Sequence, residues 1–176
     1  MEKLISSEII TKGKAFTFRV DEVEFANDRR TRRYIVEHPG AVAIIPILPD
    51  GQIVLVKQYR HATGKMLLEI PAGTIEMGEA PEECARRELI EETSYEAESL
   101  EELTRFYTAP GYSSEIIHVF VARGLRRVKG EMEEDESIKA EIYKLDDVLK
   151  MVCDNSIEDG KTICGILSFT ISKRIQ

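Results

Sequence analysis

Residues 73–95, GTIEMGEAPEECARRELIEETSY, decide how this chain is read. Pro81 suits the first position of a helix, because its fixed φ is already helical and the N–H it lacks would have no acceptor within the helix. Beyond it Ala85 and Leu89 fall at i and i+4, the apolar stripe that a helix turns toward a core. At about 100° per residue, Glu88 and Glu92 lie about 40° apart beside that stripe, with Glu91 about 60° from Glu88. Residues 76–92 hold seven carboxylates (Glu76, Glu79, Glu82, Glu83, Glu88, Glu91 and Glu92) against Arg86 and Arg87. Like charges four residues apart destabilise a helix by about 0.2–0.5 kcal/mol, and partial burial raises that cost unless a cation compensates. A hard divalent ion such as Mg²⁺ would do so, since it takes oxygen ligands and keeps waters that a phosphate can replace. Taken alone, an acidic helix is more simply a solvated face with Arg87 pairing locally. The spacing of the whole segment is what argues for a site.

Outward from this segment the chain reads as strands before it and a mixture after it. Phe16, Phe18 and Val20 alternate with polar residues across 15–23, the two-residue period of a half-buried strand, and residues 33–38 suggest a second. The runs AVAIIPIL (41–48) and QIVLVKQYR (52–60) flank Asp50-Gly51, a dipeptide that tolerates the positive φ of a tight hairpin. MLLEI (66–70) is a short strand closed by Pro71, which cannot donate to a ladder. Residues 115–122 and 140–145 read as further strands, and 145–153 and 161–172 as helices. The class is α+β, with most strands before and between few helices.

The 176 residues, 43% hydrophobic and 32% charged, suffice for one globular domain with a real core. No stretch nears the roughly 18 uninterrupted apolar residues of a membrane span, and the amino terminus has acidic residues where a secretory signal would be basic, so a cytoplasmic protein without membrane partners is expected. Cys84, Cys153 and Cys164 form no CxxC pair, which predicts reduced thiols rather than a disulfide framework or a thiolate metal site. A net charge of −8 argues against nucleic acid, whose nonspecific binding needs Lys and Arg to neutralise phosphates. Residues 1–40 carry eight Lys and Arg against seven Asp and Glu, so the acidity belongs to the remainder.

Read as G-x5-E-x7-R-E-U-x-E-E-x-[G]-U, with U apolar, the opening segment supplies Gly73, Glu79, Arg87, Glu88, Leu89, Glu91, Glu92 and Tyr95. This resembles the Nudix box, the signature of hydrolases acting on nucleoside diphosphates linked to another moiety. Many fixed positions at fixed spacing make it far more specific than a lone glycine motif. Ser94 stands where the box has Gly, at the point where a left-handed residue often ends a helix, and serine takes that conformation at a cost of about 1 kcal/mol. The resemblance implies a Nudix fold, an α/β/α sandwich with a mixed β-sheet between helices and an amino-terminal β extension. It also implies Mg²⁺, or Mn²⁺, held by Glu88, Glu92 and the Ala72 carbonyl, with Glu91 a further ligand or a catalytic group that orients water. Arg87 would orient a carboxylate and Gly73 permit a close backbone path.

Further pieces resemble the ADP-ribose pyrophosphatase branch of that family. VKQYRHATG (56–64) followed by LEIPAG (68–73) implies Gln58, Arg60 and Glu69 as substrate-facing residues. A diphosphate suits the forked donor of an arginine. APGYSSE (109–115), with Pro110 fifteen residues past Tyr95, is similar to that branch's Pro-Gly loop and implies Ser113 and Glu115 as substrate contacts. The acidic run EMEEDESI (131–138) would in isolation be a solvated loop. In the branch it resembles, such a loop brings the catalytic base, which implies Glu136, also as an outer metal ligand, or else Glu134. The arginines at 29, 30, 32 and 33 would ordinarily be a solvated hairpin. By resemblance they belong to an extension, residues 1–40, that makes a homodimer and puts Arg32 near a substrate, while residues 41–176 form the hydrolase domain. The activity implied is metal-dependent hydrolysis of ADP-ribose to AMP and ribose 5-phosphate. Its alternatives are another nucleoside diphosphate derivative, such as a nucleotide sugar or dinucleotide, and a catalytically silent binding protein.

Overall fold

The computed structural model describes residues 1–128 and 138–175. Its elements in chain order are β1 (Lys3–Lys12), β2 (Thr17–Glu24), β3 (Arg30–Glu37), β4 (Ala41–Pro46), β5 (Ile53–Arg60), β6 (Lys65–Glu69), β7 (Ala72–Thr74), α1 (Pro81–Thr93), β8 (Tyr95–Glu96), β9 (Ser99–Tyr107), β10 (Ile116–Arg123), β11 (Arg126–Arg127), β12 (Lys139–Tyr143), α2 (Leu145–Cys153) and α3 (Gly160–Ile175). The unbroken apolar run of β4 is buried along its whole length, as expected of a strand covered on both faces. It lies parallel to β10 and antiparallel to β7, in a mixed sheet of order β7-β4-β10-β9. A second, antiparallel sheet has the order β12-β5-β6.

The two-residue period of β4 splits the core into two layers. Ala43 and Ile45, with Ile53 and Leu55 of β5, pack with Val148 of α2 and Ile166 and Phe169 of α3. Val42 and Ile44, with Val54, pack with Cys84, Ala85 and Leu89 of α1. Sheet between helices is therefore the observed architecture, as the resemblance implied. Cys84, Cys153 and Cys164 are free thiols, and no described helix is long and apolar enough to cross a membrane.

The extension forms a separate antiparallel sheet, β1-β2-β3. It is joined to the rest where Val36 exchanges backbone hydrogen bonds with Tyr112 and Ser114. Two expectations need correction. Asp50-Gly51 does make a turn, with Gly51 at φ 82° and its N–H on the Leu48 carbonyl at 2.8 Å. Yet β4 and β5 do not continue as a hairpin. One isolated bridge, Ile47 with Ile53, joins them, because β4 gives its remaining bonds to β7 and β10 and β5 gives its own to β6 and β12. The second correction concerns strands that the alternation did not reveal. β1 carries its apolar residues as the doublets Leu4-Ile5 and Ile9-Ile10 and is bulged twice against β2. In β9, Leu100, Leu103 and Phe106 recur every three residues, a helical spacing made possible in a strand by a register shift against Val119/Phe120.

Candidate active site

α1 starts where the backbone N–H of Ala80 donates to Glu83 Oε2 at 3.1 Å, with Pro81 in the first turn. It ends at Ser94, which adopts the left-handed conformation (φ 58°, ψ 29°) expected there. Burial of Ala85 and Leu89 sets the rotation of the helix. Glu88 and Glu92 consequently meet β7, which runs on from the Pro71 strand break. The carboxylate of Glu92, 7% exposed, accepts the Ala72 N–H at 2.9 Å. The Glu88 carboxylate lies against Gly73, where a β-carbon would come within 1.8 Å of its Cδ. Glycine is required at 73 for that contact alone.

Arg87 gathers the neighbouring carboxylates. Its Nε and Nη2 donate to the two oxygens of Glu79 at 2.9 and 3.1 Å, and its Nη1 donates to Glu88 at 2.6 Å and Glu91 at 3.0 Å. The paired hydrogen bonds from Arg87 hold the Glu79 carboxyl down to about 2. Glu88 moves the other way, because burial penalises its charge more than Arg87 favours it. Burial and the adjacent Glu79 push the Cys84 thiol up to about 12, so it packs and does not act as a nucleophile. One guanidinium thus answers three carboxylates, with Glu92 a fourth nearby.

Glu88, Glu91 and Glu92 form one wall of a cleft of about 900 Å³, in the size range of small-molecule sites. Gln58 and Arg60 from β5, Ala72 to Glu76, and Lys14 and Pro39 complete much of its lining. Hard oxygen donors in excess of their cationic partners, two of them desolvated, fit a divalent ion of the Mg²⁺ type. Among the described residues no three acidic side chains converge on one point, since Glu88 and Glu91 are turned to Arg87 and Glu92 to the Ala72 N–H.

The NUDIX domain model matches residues 37–160. This chain belongs to the Nudix family. It is 42% identical to an ADP-ribose pyrophosphatase of Bacillus subtilis (strain 168), over 99% of this chain and 96% of that protein. It is 43% identical to a methanol dehydrogenase activator of Bacillus methanolicus, over 94% of this chain and 90% of that one. A crystal structure of an ADP compounds hydrolase superimposes with a TM-score of 0.86 at 25% identity, covering 98% of this chain and 94% of the other. Members of this Nudix family use divalent metal ions, in keeping with the donor set on α1.

Of the residues singled out in the sequence, the Nudix box places Ala72, Arg87, Glu88, Glu91 and Glu92 together on the cleft, joined by Gln58 and Arg60. Glu69 lies beneath, 1% exposed, its carboxylate taken by Arg60 at 2.8 and 2.7 Å and by Lys161. Ser113 and Glu115 sit in the loop against Val36 and His38. There Glu115 accepts the Thr108 hydroxyl at 2.8 Å and its other oxygen lies 3.8 Å from His38 Nε2. Arg32 is on the outer face of the amino-terminal sheet, in a depression shared with Phe18 and Tyr34. Within one chain, the described wall of the box cleft includes neither Arg32 nor the 113–115 loop. Glu134 and Glu136 lie outside the described residues. Sequence reading did not find Lys14, Pro39 or Lys161. Each reaches the region through the tertiary fold, and no local pattern marks it.

Proposed function

We propose that this Nudix protein hydrolyses the diphosphate bond of ADP-ribose, releasing AMP and ribose 5-phosphate, with Mg²⁺ as its ion and Mn²⁺ able to replace it. The observation that carries the reading is the meeting of the acidic face of α1 with Arg60 on one cleft. Similarity over nearly the whole chain to an ADP-ribose pyrophosphatase supports the choice of substrate. In the reaction the oxygen of water bonds to one phosphorus, the bridging oxygen leaves with the other, and the proton of water passes to a base.

Glu88, Glu91, Glu92 and the Ala72 carbonyl would hold the ion, and the chemistry it supplies when bound is charge neutralisation of the diphosphate and acidification of water. Arg87 holds the Glu88 and Glu91 carboxylates in place through its Nη1. Arg60 presents forked donors to the diphosphate and Gln58 a neutral amide beside it. Ser113, Glu115 and, from a second copy, Arg32 are assigned to the remainder of the substrate. Glu136 is assigned as the base, with Glu134 second. The functional unit is a homodimer through residues 1–40, acting in the cytoplasm.

The test is incubation of the purified protein with ADP-ribose and Mg²⁺, with and without EDTA, and chromatographic separation of AMP. EDTA-sensitive release of AMP is expected. Absence of product, with turnover of a nucleotide sugar or a dinucleotide in the same assay, would move the substrate elsewhere within the family. Binding of ADP-ribose without turnover of any of these would make the protein a binding module.

A further inference from the structure

We propose that Lys161, on the first turn of α3, is a positioning residue that leaves Arg60 free to bind a diphosphate by neutralising the buried Glu69 beneath it. The inference deepens the functional reading above and rests on it for the role of Arg60.

Glu69 sits at the end of β6, 1% exposed, and a buried carboxylate is strongly destabilising unless cations and hydrogen bonds satisfy it. Two cations do so, both of them on Glu69 Oε2. Arg60, paired with Lys65 across the β5–β6 ladder, uses its Nε and Nη2. Lys161 uses its ammonium, itself only 11% exposed. Arg60 is 40% exposed and lines the cleft, whereas the described cleft wall does not include Lys161. Glu92 and Asp159 are the other carboxylates near enough to Arg60 to stabilise its charge.

The charge arithmetic gives Lys161 its role. With Glu69 and Arg60 alone the pair is neutral, and the cleft, already lined by Glu88, Glu91 and Glu92, would offer an anionic substrate no cation here. Asp159, 3.1 Å from the Lys161 ammonium, would make the surroundings of that pair net negative; Lys161 brings the group of four to neutrality, and its exposed cation is Arg60. The Arg60 hydrogens not used by Glu69 remain available to phosphate oxygens.

The position of Lys161 is itself fixed by the fold. Asp159 caps α3, accepting the Thr162 N–H at 2.9 Å, and lies 3.1 Å from the Lys161 ammonium. Thr162 Oγ1 in turn accepts the Ile70 N–H at 2.8 Å. One turn of helix therefore grips two successive residues, Glu69 and Ile70, just before the chain enters β7 at Ala72. Lys161 is more than a surface lysine that happens to be near a carboxylate.

Binding of magnesium pyrophosphate, followed by calorimetry, reads the site whichever diphosphate ester is the substrate. Lys161→Met is expected to weaken it at least fivefold. Lys161→Arg, which keeps the charge, is expected to recover most of the loss. Combining Lys161→Met with Glu69→Gln removes the charge that Lys161 answers, so the double variant should bind within twofold of Glu69→Gln alone. Unchanged binding in Lys161→Met would overturn the proposal. So would a double variant markedly weaker than Glu69→Gln, which would mean that Lys161 touches the ligand itself. If Lys161→Met does not fold, the comparison of the double variant with Glu69→Gln decides the matter alone. Failure of the wild-type protein to release AMP from ADP-ribose would remove that substrate and leave this result standing.

Discussion

The Glu88 carboxylate occupies the space that a side chain on Gly73 would fill. A β-carbon built there lies 1.8 Å from its carboxyl carbon and 1.9 Å from one of its oxygens. No real contact is so short, and Glu88 is held from behind by Arg87. Gly73→Ala must therefore displace either the carboxylate or β7. Displacement of a catalytic group by about 1 Å costs on the order of 100-fold in rate, so kcat for AMP release should fall by about that factor or more. Circular dichroism should show the helices unchanged, because Ala85 and Leu89 still anchor α1. A Gly73→Ala variant with wild-type kcat would show that Glu88 acts from a different position.

The Glu79–Arg87 pair makes stability depend on acid. In the folded protein Arg87 depresses the Glu79 carboxyl from 4.5 to about 2. A group with a depressed folded-state pKa contributes stability that is complete above its unfolded value and is lost as pH falls through the folded one. Between roughly pH 5 and 2, wild-type protein should lose up to about 3 kcal/mol of urea-unfolding free energy from this group, by the linkage of about 1.4 kcal/mol per unit. Glu79→Gln should be less stable than wild type at pH 7 and should lose less on acidification. Parallel stability–pH curves for the two proteins would remove Glu79 as the cause.

What could be read from the chain follows the range of the interactions concerned. The box was legible because Ala85, Glu88, Leu89 and Glu92 lie within two turns of one helix, where spacing alone sets the face. β4 was legible because burial on both faces leaves a continuous apolar run, and β10 because its run is interrupted by His118 alone before Arg123. β1 and β9 were not, since bulges break their alternation. The hairpin expected at Asp50-Gly51 was half right. A dipeptide specifies the turn, but which neighbours its flanking strands pair with is a property of the whole sheet. Arg60 and Glu69 were chosen by motif as two substrate contacts, and the fold makes Glu69 the buried anchor of Arg60. Lys161 stands 92 positions from Glu69 along the chain, so no local pattern would have found it.

Glu136 is the proposed base and Glu134 its alternative. A general base contributes about 10²–10⁴ in rate, whereas a neighbour that merely adds negative charge contributes far less. Glu136→Gln should therefore lower kcat by about 10²–10⁴ with Mg²⁺ saturating, and Glu134→Gln by no more than a few-fold. The reverse ranking would exchange the two assignments, and near-wild-type turnover in both would place the base elsewhere.

The amino-terminal sheet carries an apolar surface that the other described residues do not cover. On the face that holds Phe18 and Val20, Ile10 and Tyr34 are more than half exposed, at 51% and 58%, and Phe18 stacks on Tyr34 at 6.4 Å. Exposed apolar surface of this kind marks a contact with another molecule. A second copy is the occupant proposed here, and it would place Arg32, in the same depression, against its partner. Sedimentation should give twice the 20.0 kDa of one chain. Ile10→Glu combined with Tyr34→Glu should give the single-chain mass, since a dimer would bury both new charges. KM for ADP-ribose should rise in that variant while Mg²⁺ binding at the box persists, because the box carboxylates all come from one chain. A wild-type protein that sediments as a monomer at assay concentration would end the dimer proposal, and with it the assignment of Arg32 to a substrate pocket.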